Sequence, residues 1–342
     1  MAHESILAHL APLLTNQIEN VATDALAHLL LQYPFLSDAF REYISSAGID
    51  LPKELTIKTQ ASWQDNAIPD LVGLDKDGRH VLIVESKFWA YLTPNQPTTY
   101  IERLPSDTSA ILLFIAPAPR LDSLWKELLE RCTLYQADGL GQVSPNEEFF
   151  TLSLNNQHIL ALTSWESLLE AFHIKAQQVG DNFALADIWQ VQSLCARVTE
   201  EAFLPLAANE LTAPTQKRIN QYKGLIDELM TRLAATGFAS IAGYRATPGP
   251  DYYRRYMSLQ GIGNWCVEYN ETYRRQFPPA NLFLTAEIPR LTSSFTELAP
   301  VCHRLGNLLL IPLDMPIGVE KASLLNSLLQ QVIEVAQKLA QE

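Results

Sequence analysis

Apolar residues recur with two different periods in the first half of the chain, and these predict helices alternating with strands. Between Thr15 and Leu31 they are spaced as on one face of a helix, which Pro34 ends or deflects. The segments with strand character are Leu55–Trp63, Ile68–Leu74, His80–Phe88, Ser109–Ala116 and His158–Thr163. Helices are predicted before the fourth strand, over Leu121–Cys132 and from Ser164 onward. The order α-β-β-β-α-β-α-β-α predicts an α/β fold.

A second domain is predicted after a helical extension of the first. Residues 184–211 are helical in composition, and the sequence Thr212-Ala213-Pro214-Thr215 is typical of a linker. Beyond it we expect a helix near Gln216–Ala234, tyrosine-rich strands or loops through Leu284, and a closing helix over Val319–Gln341. The sequence therefore predicts one domain in residues 1–211 and a C-terminal α+β domain in residues 212–342.

Composition adds an uneven distribution of charge. The chain has 342 residues, 47% of them hydrophobic, and a net charge of -13. Residues 1–205 hold 12 basic and 26 acidic residues, a net charge of -14, whereas residues 206–342 hold 13 and 12, a net charge of +1. The acidic half repels phosphate groups, which argues against tight non-specific binding of nucleic acid without excluding it.

The sequence predicts a cytoplasmic protein with no membrane partner. Its four cysteines are dispersed without CxxC spacing, so neither a zinc site nor a disulfide framework is indicated. The N-terminus lacks a basic start, and no apolar run approaches the roughly 20 residues of a membrane span.

Two charges interrupt the otherwise apolar strand VLIVESKFWA. Alternation places Glu85 and Lys87 on one face. A strand that is apolar on both faces is normally covered on both sides, and a buried unpaired charge is costly. For these two residues alone, a local ion pair near the end of the strand is an equally good explanation.

The preceding hairpin changes that balance. If Asp77-Gly78 forms a two-residue turn, Asp70 lies directly opposite Glu85. Their Cβ atoms would be roughly 4.5–5.5 Å apart, and two carboxylates at that separation repel unless a proton or a cation lies between them. A hard cation such as Mg²⁺ suits the pair. A three-residue loop would move Asp70 to the wrong face.

The sequence Ile68-Pro69-Asp70, followed by Glu85-Ser86-Lys87 in an apolar strand, resembles the PD-(D/E)XK nuclease superfamily. The restriction-endonuclease-like core of that superfamily is a mixed central sheet flanked by helices, with a helix, three strands, a helix and a fourth strand in order. The resemblance covers about the first half of the chain. It implies that Asp70 and Glu85 bind Mg²⁺, with Mn²⁺ as a substitute, that the Ser86 carbonyl assists, and that Lys87 activates water.

The same resemblance implies metal-dependent hydrolysis of phosphodiester bonds. DNA is the expected substrate, with RNA not excluded. Stand-alone architectures of this kind resemble bacterial restriction or phage-defence effectors.

Three further residues enter through the resemblance. The superfamily often adds a carboxylate from its first helix, for which Glu19 is the candidate, although a capping box formed by Asn16 and Glu19 explains it equally well. Some exonuclease-like members carry a Gln-x-x-x-Tyr sequence after the lysine strand that helps to hold DNA, and Gln96 and Tyr100 match it. A solvated helix face explains that pair slightly better, because Pro97 between them is tolerable only in a first turn.

The second domain has its own candidate binding region in residues 240–275, where tyrosines and a tryptophan alternate with arginines. This composition suits phosphate contact with base stacking, a protein interface, or aromatic pairs between strands. We expect Arg254 and Arg255 to bind substrate, a protein partner or an activating ligand. The oligomeric state is left open.

A metal-dependent DNA nuclease is therefore the favoured function. The alternative is a non-catalytic binding or regulatory protein that retains the nuclease fold as a scaffold, which the acidic first half would suit. A different enzyme built on a carboxylate pair lacks a supporting histidine or serine nucleophile arrangement.

Overall fold

The chain folds into two compact units, Met1–Ala202 and Phe203–Glu342. The structure, a computed structural model, describes residues 4–15, 17–59, 69–88, 90–135, 148–154, 157–212, 214–259, 262–287 and 302–340. The boundary lies earlier than the predicted one after residue 211. Residues 203–212 belong to the second unit because Leu206 is buried in its core and Glu210 forms an ion pair of 2.6 Å with Arg218.

The first unit is an α/β structure, as its element order predicts. Its helices are α1 (Ile6–Leu14), α2 (Ile18–Gln32), α3 (Pro34–Ser45), α4 (Thr98–Ile101), α5 (Leu121–Tyr135), α6 (Trp165–Val179) and α7 (Asn182–Glu201). Its strands are β1 (Thr56–Thr59), β2 (Leu71–Leu74), β3 (His80–Ser86), β4 (Ile111–Ala116), β5 (Phe149–Ser153) and β6 (Ile159–Ser164). Residues 60–63 and Ile68, which were also predicted to be strand, lie outside the described residues.

These strands form one mixed sheet in the order β1-β2-β3-β4-β6-β5. Strands β3, β4 and β6 run parallel, while β1, β2 and β5 pair antiparallel with their neighbours. The carboxyl ends of the three parallel strands therefore lie at the same edge of the sheet. The sequence analysis missed β5, a five-residue edge strand too short to show a clear period.

Both faces of this sheet are covered. Val84 and Leu113 pack against α1, α2, α3, α6 and α7 on one face, and Ile83 and Phe114 pack against α4 and α5 on the other. This coverage accounts for the nearly continuous apolar sequence of β3, whose residues from Val81 to Ser86 are all buried. A charge at the end of β3 therefore has little access to bulk water.

Local sequence signals set the ends of several helices. The Ser164 hydroxyl accepts from the Ser167 amide at 2.9 Å at the start of α6, and Gly180 ends that helix with a φ of 78°. Pro34 occupies the first turn of α3, where its missing N–H costs nothing. Pro34 thus ends α2 and begins a further helix.

The β2–β3 hairpin has the predicted register but not the predicted turn. Leu71 pairs with Val84, and two further pairs follow in the same register. The Asp75 amide donates to the Arg79 carbonyl at 3.1 Å, so the loop holds three residues and not two. Leu74 pairs with His80 but Gly73 pairs with Leu82, so Val81 is an additional residue in β3 and forms a bulge. The bulge offsets the additional loop residue, and the pairs beyond it have the predicted register.

The second unit is built on an antiparallel sheet. Its helices are α8 (Ala208–Thr212), α9 (Gln216–Ala235), α10 (Glu271–Gln276) and α11 (Lys321–Ala340). Its strands are β7 (Ala239–Ser240), β8 (Ala246–Pro248), β9 (Tyr252–Leu259), β10 (Gly263–Asn270), β11 (Leu282–Glu287), β12 (His303–Leu305) and β13 (Leu308–Leu313). Their order is β12-β13-β11-β10-β9-β7, with β8 also paired to β9.

Helices α9 and α11 pack on one face of this sheet through Leu225, Leu328 and Val267. Helices combined with an antiparallel sheet agree with the α+β character expected for the C-terminal part. No helix in the described ranges of the chain is long and apolar enough to cross a membrane.

The bulge supplies a testable prediction about the hairpin. A Cβ atom at Gly73 would lie 3.0 Å from Leu82 Cβ and 3.0 Å from a Leu55 methyl carbon, so Gly73→Ala should lower the free energy of unfolding by about 1–3 kcal/mol. Gly78 has a φ of 78° and open space around it, so Gly78→Ala should cost about 1–2 kcal/mol through backbone strain alone. Urea denaturation measures both values. An unchanged Gly73→Ala variant would show that the bulge tolerates a side chain.

Candidate metal centre

The β2–β3 hairpin brings two carboxylates to one face of the first sheet. Asp70 directly precedes β2, and the pairing of Leu71 with Val84 continues to place Asp70 opposite Glu85. Asp70 Oδ2 accepts a hydrogen bond of 2.7 Å from the amide of Ser86. The predicted opposition of Asp70 and Glu85 is therefore confirmed.

Glu85 is buried and only half satisfied. Its Oε1 is 2.7 Å from Lys87 Nζ and accepts from Gln96 Nε2 at 2.8 Å. Among the described residues, no hydrogen bond reaches its buried Oε2 atom, nor the buried Ser86 hydroxyl oxygen. A buried carboxylate oxygen without a donor is costly, and it is a ligand of the kind that Mg²⁺ prefers.

The environment of Asp70 opposes its ionisation. Burial, and after it the Glu85 carboxylate, raise the pKa of Asp70 to about 7, with a smaller contribution from Glu19. The Ser86 amide and the Lys87 ammonium act in the opposite direction on this pKa but do not offset the rise. In the metal-free protein Asp70 is therefore only partly ionised at neutral pH.

Lys87 lies on the same face as Glu85, as alternation predicts. Its side chain is buried, and its ammonium forms the local ion pair with Glu85 that the sequence also allowed. That ion pair accounts for only one oxygen of Glu85. It does not account for Oε2, which accepts no hydrogen bond from the described residues, or for the neighbouring Asp70 carboxylate.

Gln96 and Tyr100 belong to the same network. Helix α4 begins after Pro97, so Gln96 precedes the helix, and its Nε2 also donates to the Tyr100 hydroxyl at 3.2 Å. Both residues are buried, at 4% and 3% exposure, so the expectation of a solvated helix face is wrong. Burial, and after it the Glu85 carboxylate, raise the pKa of Tyr100. These contacts orient Glu85 and leave neither side chain open for substrate.

Glu19 approaches this centre from α2, on the opposite face of the sheet. Its Oε1 accepts from the amides of Phe88 at 2.5 Å and Ala90 at 3.2 Å, just beyond β3. Gln17 is the N-cap residue of α2 and makes no side-chain cap bond. Asn16 lies outside the described residues, so the capping box of Asn16 and Glu19 stays a prediction.

Two arginines that the sequence analysis did not single out support the loops around the centre. Arg120 is 2% exposed and donates to the carbonyls of Lys87 at 3.1 Å and Ala90 at 2.9 Å. Arg131 donates to the carbonyls of Leu92 at 3.1 Å and Gln96 at 3.0 Å. The only signal for Arg120 in the sequence is a charge that follows a buried strand.

Arg254 and Arg255, the binding residues predicted for the second unit, each form an ion pair within that unit. Alternation along β9 places them on opposite faces of its sheet. Arg254 Nε bonds to Glu268 Oε2 at 2.6 Å, and Arg255 bonds to Asp227 of α9. Each charge is thus neutralised within the unit, and the proposed binding role of this pair has no support in their contacts.

Glu268 explains why Arg254 is needed where it is. It is 2% exposed and also accepts from Asn270 Nδ2 at 3.2 Å and Thr285 Oγ1 at 2.9 Å. The Arg254 guanidinium lies 4.4 Å from the centre of the Tyr252 ring. These residues form a satisfied polar network inside the second unit.

A large cavity lies apart from this chemistry. Its volume is about 840 Å³, and it lies in the second unit among residues that include Phe277, His303 and Ile311. None of the predicted site residues lines it. The candidate centre is therefore identified by its carboxylates and not by a large cleft.

Comparison with known proteins does not indicate a class for this protein. No family model, no curated protein and no solved structure matches this chain. Within the described ranges, no three His, Cys, Asp or Glu side chains are arranged to hold a metal ion. The candidate ligands are accordingly the two carboxylates of Asp70 and Glu85.

The raised pKa of Asp70 predicts how stability depends on pH in EDTA. The folded protein holds this proton more tightly than the unfolded chain. The contribution of Asp70 to the free energy of unfolding is therefore fully present below a pH of about 4 and is lost as pH rises through about 7. Asp70→Asn cannot ionise and should escape that loss. The difference in unfolding free energy between the variant and the wild type should widen by about 2 kcal/mol from pH 5 to pH 8. Chemical denaturation at several pH values measures it, and a constant difference would contradict the prediction.

The two arginines of β9 should differ sharply when replaced. Arg254→Ala leaves the buried Glu268 carboxylate without its cation and should cost about 3–5 kcal/mol. Arg255→Ala removes a bond to Asp227, whose side chain is 45% exposed, and should cost no more than about 1 kcal/mol. Thermal denaturation compares the two variants. Equal losses would show that Glu268 does not depend on Arg254.

Proposed function

We propose that this protein is a Mg²⁺-dependent nuclease of the PD-(D/E)XK kind that hydrolyses phosphodiester bonds of DNA. The observation that carries the proposal is the opposition of Asp70 and Glu85 on one face of the β2–β3 hairpin, with Lys87 beside them. A structural ion pair does not explain a second carboxylate at this position, whereas a pair of carboxylates is a common ligand set for Mg²⁺.

The residues present fit a magnesium ion. Asp70 and Glu85 Oε2, which has no hydrogen-bond partner in the described part of the chain, supply hard anionic oxygens. A Mg²⁺ site commonly uses one or two carboxylates and retains waters. We assign the Ser86 carbonyl as a further ligand by resemblance to the superfamily. When bound, Mg²⁺ supplies the acidity of a coordinated water and offsets negative charge on the scissile phosphate.

The chain's own residues have separate tasks in this scheme. Gln96 donates to Glu85 Oε1, which leaves Oε2, an atom that accepts no hydrogen bond from the described residues, as the oxygen of Glu85 for the cation. Lys87 places a positive charge beside the carboxylates, where it stabilises negative charge that develops on the attacking oxygen or the phosphate. Asp70, which is half-buried, connects the centre to the surface of the unit.

The arrangement of elements agrees with the superfamily core. Helix α2 is followed by β1, β2 and β3, then by α4 and by β4 parallel to β3. This is the sequence of helix, three strands, helix and strand that the resemblance implies. The position of the acidic and basic residues at the end of β3 agrees with it as well.

The charge distribution bears on how DNA would be held. The first unit carries a net charge of -14 and repels a polyanion, so we expect weak, salt-sensitive binding unless the cation or the second unit assists. We assign the second unit a role in recognising substrate, a partner or a signal. The combination of a nuclease unit with a recognition unit suits a bacterial restriction or phage-defence effector.

One observation favours the alternative, a regulatory protein that retains the fold as a scaffold. Lys87 is bonded to Glu85 and is 5% exposed, so its ammonium is already neutralised in the metal-free protein. A scaffold protein would keep that ion pair permanently. A nuclease would exchange it when the cation and substrate bind.

The test is cleavage of linear, circular and single-stranded DNA, and of RNA, with Mg²⁺, Mn²⁺ or EDTA. The wild type should cleave DNA with either metal and not in EDTA. Asp70→Asn and Lys87→Ala should each lower the rate at least about 100-fold, because a cation ligand and a charge at the reacting phosphate are removed. Asp24→Asn is the matched control, since Asp24 is exposed on α2.

Metal binding is measured separately by the thermal shift that Mg²⁺ produces. The shift should be present in the wild type and in Lys87→Ala but nearly absent in Asp70→Asn. Cleavage by Asp70→Asn at the wild-type rate would overturn the proposed centre. Binding of DNA by the wild type without cleavage under any of these metals would instead favour the scaffold protein.

A further inference from the structure

The backbone that follows β3 is held by two charged side chains from distant parts of the chain. The described residues of this stretch, Lys87, Phe88 and Ala90, are named the post-strand turn here. Glu19 Oε1 accepts from the amides of Phe88 at 2.5 Å and Ala90 at 3.2 Å. Arg120 donates to the carbonyls of Lys87 at 3.1 Å and Ala90 at 2.9 Å. Glu19 thus accepts hydrogen bonds from the amides of this turn, and Arg120 donates hydrogen bonds to its carbonyls.

The chemistry of each side chain matches its task. A carboxylate only accepts hydrogen bonds when ionised, whereas a guanidinium only donates them, through a rigid fork. Buried backbone groups that leave a strand must find partners, because each unsatisfied group costs free energy. Glu19 and Arg120 supply those partners where the sheet ladder no longer does.

The same turn is fixed at further points. The Lys87 amide donates to the Ile115 carbonyl of β4 at 2.9 Å. The Phe88 ring stacks on Trp165, with ring centres 5.5 Å apart and an angle of 11° between the planes. The Lys87 backbone is therefore held on both sides of its Cα atom, by β4 and by Arg120.

We infer that Glu19 and Arg120 form a clamp that positions Lys87, and that Glu19 is not a ligand of the cation. Glu19 Oε1 has already committed its lone pairs to two amides, one of them at 2.5 Å. The carboxylate is used as a hydrogen-bond acceptor for the backbone, and it comes from α2, which packs on the face of the sheet opposite to Glu85 and Lys87. The effect of the clamp on cleavage rests on the proposed function, whereas its effect on the turn does not.

The decisive variant is Glu19→Gln, because a glutamine oxygen accepts from both amides but is a poor ligand for Mg²⁺. Asp24→Asn makes the same charge change on the exposed side of α2 and serves as the control. With the clamp, Glu19→Gln keeps the Mg²⁺-induced thermal shift and stays within about threefold of the wild-type rate. Glu19→Ala lowers kcat about 100-fold with little change in KM or in the Mg²⁺ shift, since a displacement of about 1 Å is that costly.

The opposite pattern overturns the inference. If Glu19→Gln loses the Mg²⁺ shift and the cleavage rate to the same extent as Asp70→Asn, Glu19 is a metal ligand. If Glu19→Ala cleaves at the wild-type rate, the clamp does not position Lys87.

Hydrogen exchange separates failure of the clamp from failure of the nuclease proposal. The amides of Phe88 and Ala90 should exchange at least about tenfold faster in Glu19→Ala and should remain protected in Glu19→Gln. This holds even for a protein that cleaves nothing. Unchanged exchange in Glu19→Ala rejects the clamp, whatever the wild type does with DNA.

Arg120 is tested with Arg120→Lys, since removing a buried guanidinium outright endangers folding. Lysine keeps the charge but lacks the fork that reaches two carbonyls. We expect a folded protein by circular dichroism, faster exchange of the Phe88 and Ala90 amides, and a fall in kcat that exceeds any change in KM. A variant with wild-type exchange and rate would show that Arg120 is not part of the clamp.

Discussion

Burial of two carboxylates side by side at the end of a sheet is the constraint on which the first unit depends. Asp70 and Glu85 share one face of a sheet that is covered on both sides, so neither can be fully hydrated. Burial, and after it the Glu85 carboxylate, raise the pKa of Asp70, and no described residue donates a hydrogen bond to Glu85 Oε2. Lys87 and Gln96 are bound to the other oxygen. An apolar core alone would exclude such a pair of buried carboxylates. Their presence at the end of the sheet is the physical reason to interpret this position as a functional site.

Long polar side chains hold the loops at this end of the sheet. Arg120 and Arg131 bind backbone carbonyls, and Glu19 binds backbone amides, in segments that have left the regular ladder. Such contacts are specific because the guanidinium fork and the carboxylate each offer only one type of hydrogen-bonding group. The loops around the centre are thus held by hydrogen bonds between charged side chains and backbone groups. Ion pairs on the surface contribute little by comparison.

The sequence predicted what local periodicity controls and missed what distant contacts control. Alternation identified β3 and the shared face of Glu85 and Lys87, and the register of the hairpin was right although the turn was not, because a bulge at Gly73 compensates for the additional loop residue. The burial of Gln96 and Tyr100 depends on Glu85, which no helical pattern reveals. Arg254 and Arg255 were grouped by composition. Their ion-pair partners, Glu268 on β10 and Asp227 on α9, lie on opposite sides of a sheet whose strand pairing the sequence does not show. The nuclease function and its ligands stay predictions.

The order of strands also governs how the chain avoids aggregation. The apolar strand ILLFIA, β4, would template pairing with other chains if its edges were free, yet it lies between β3 and β6. The edge position next to β2 is taken instead by β1, which exposes Thr56, Lys58 and Thr59. In the second sheet the outermost strands, β7 and β12, are only two and three residues long as described. The central position of β4 thus keeps its backbone from pairing with other chains, whereas loss of the edge strand β5 would free the edge of the apolar strand β6 without altering a single apolar residue.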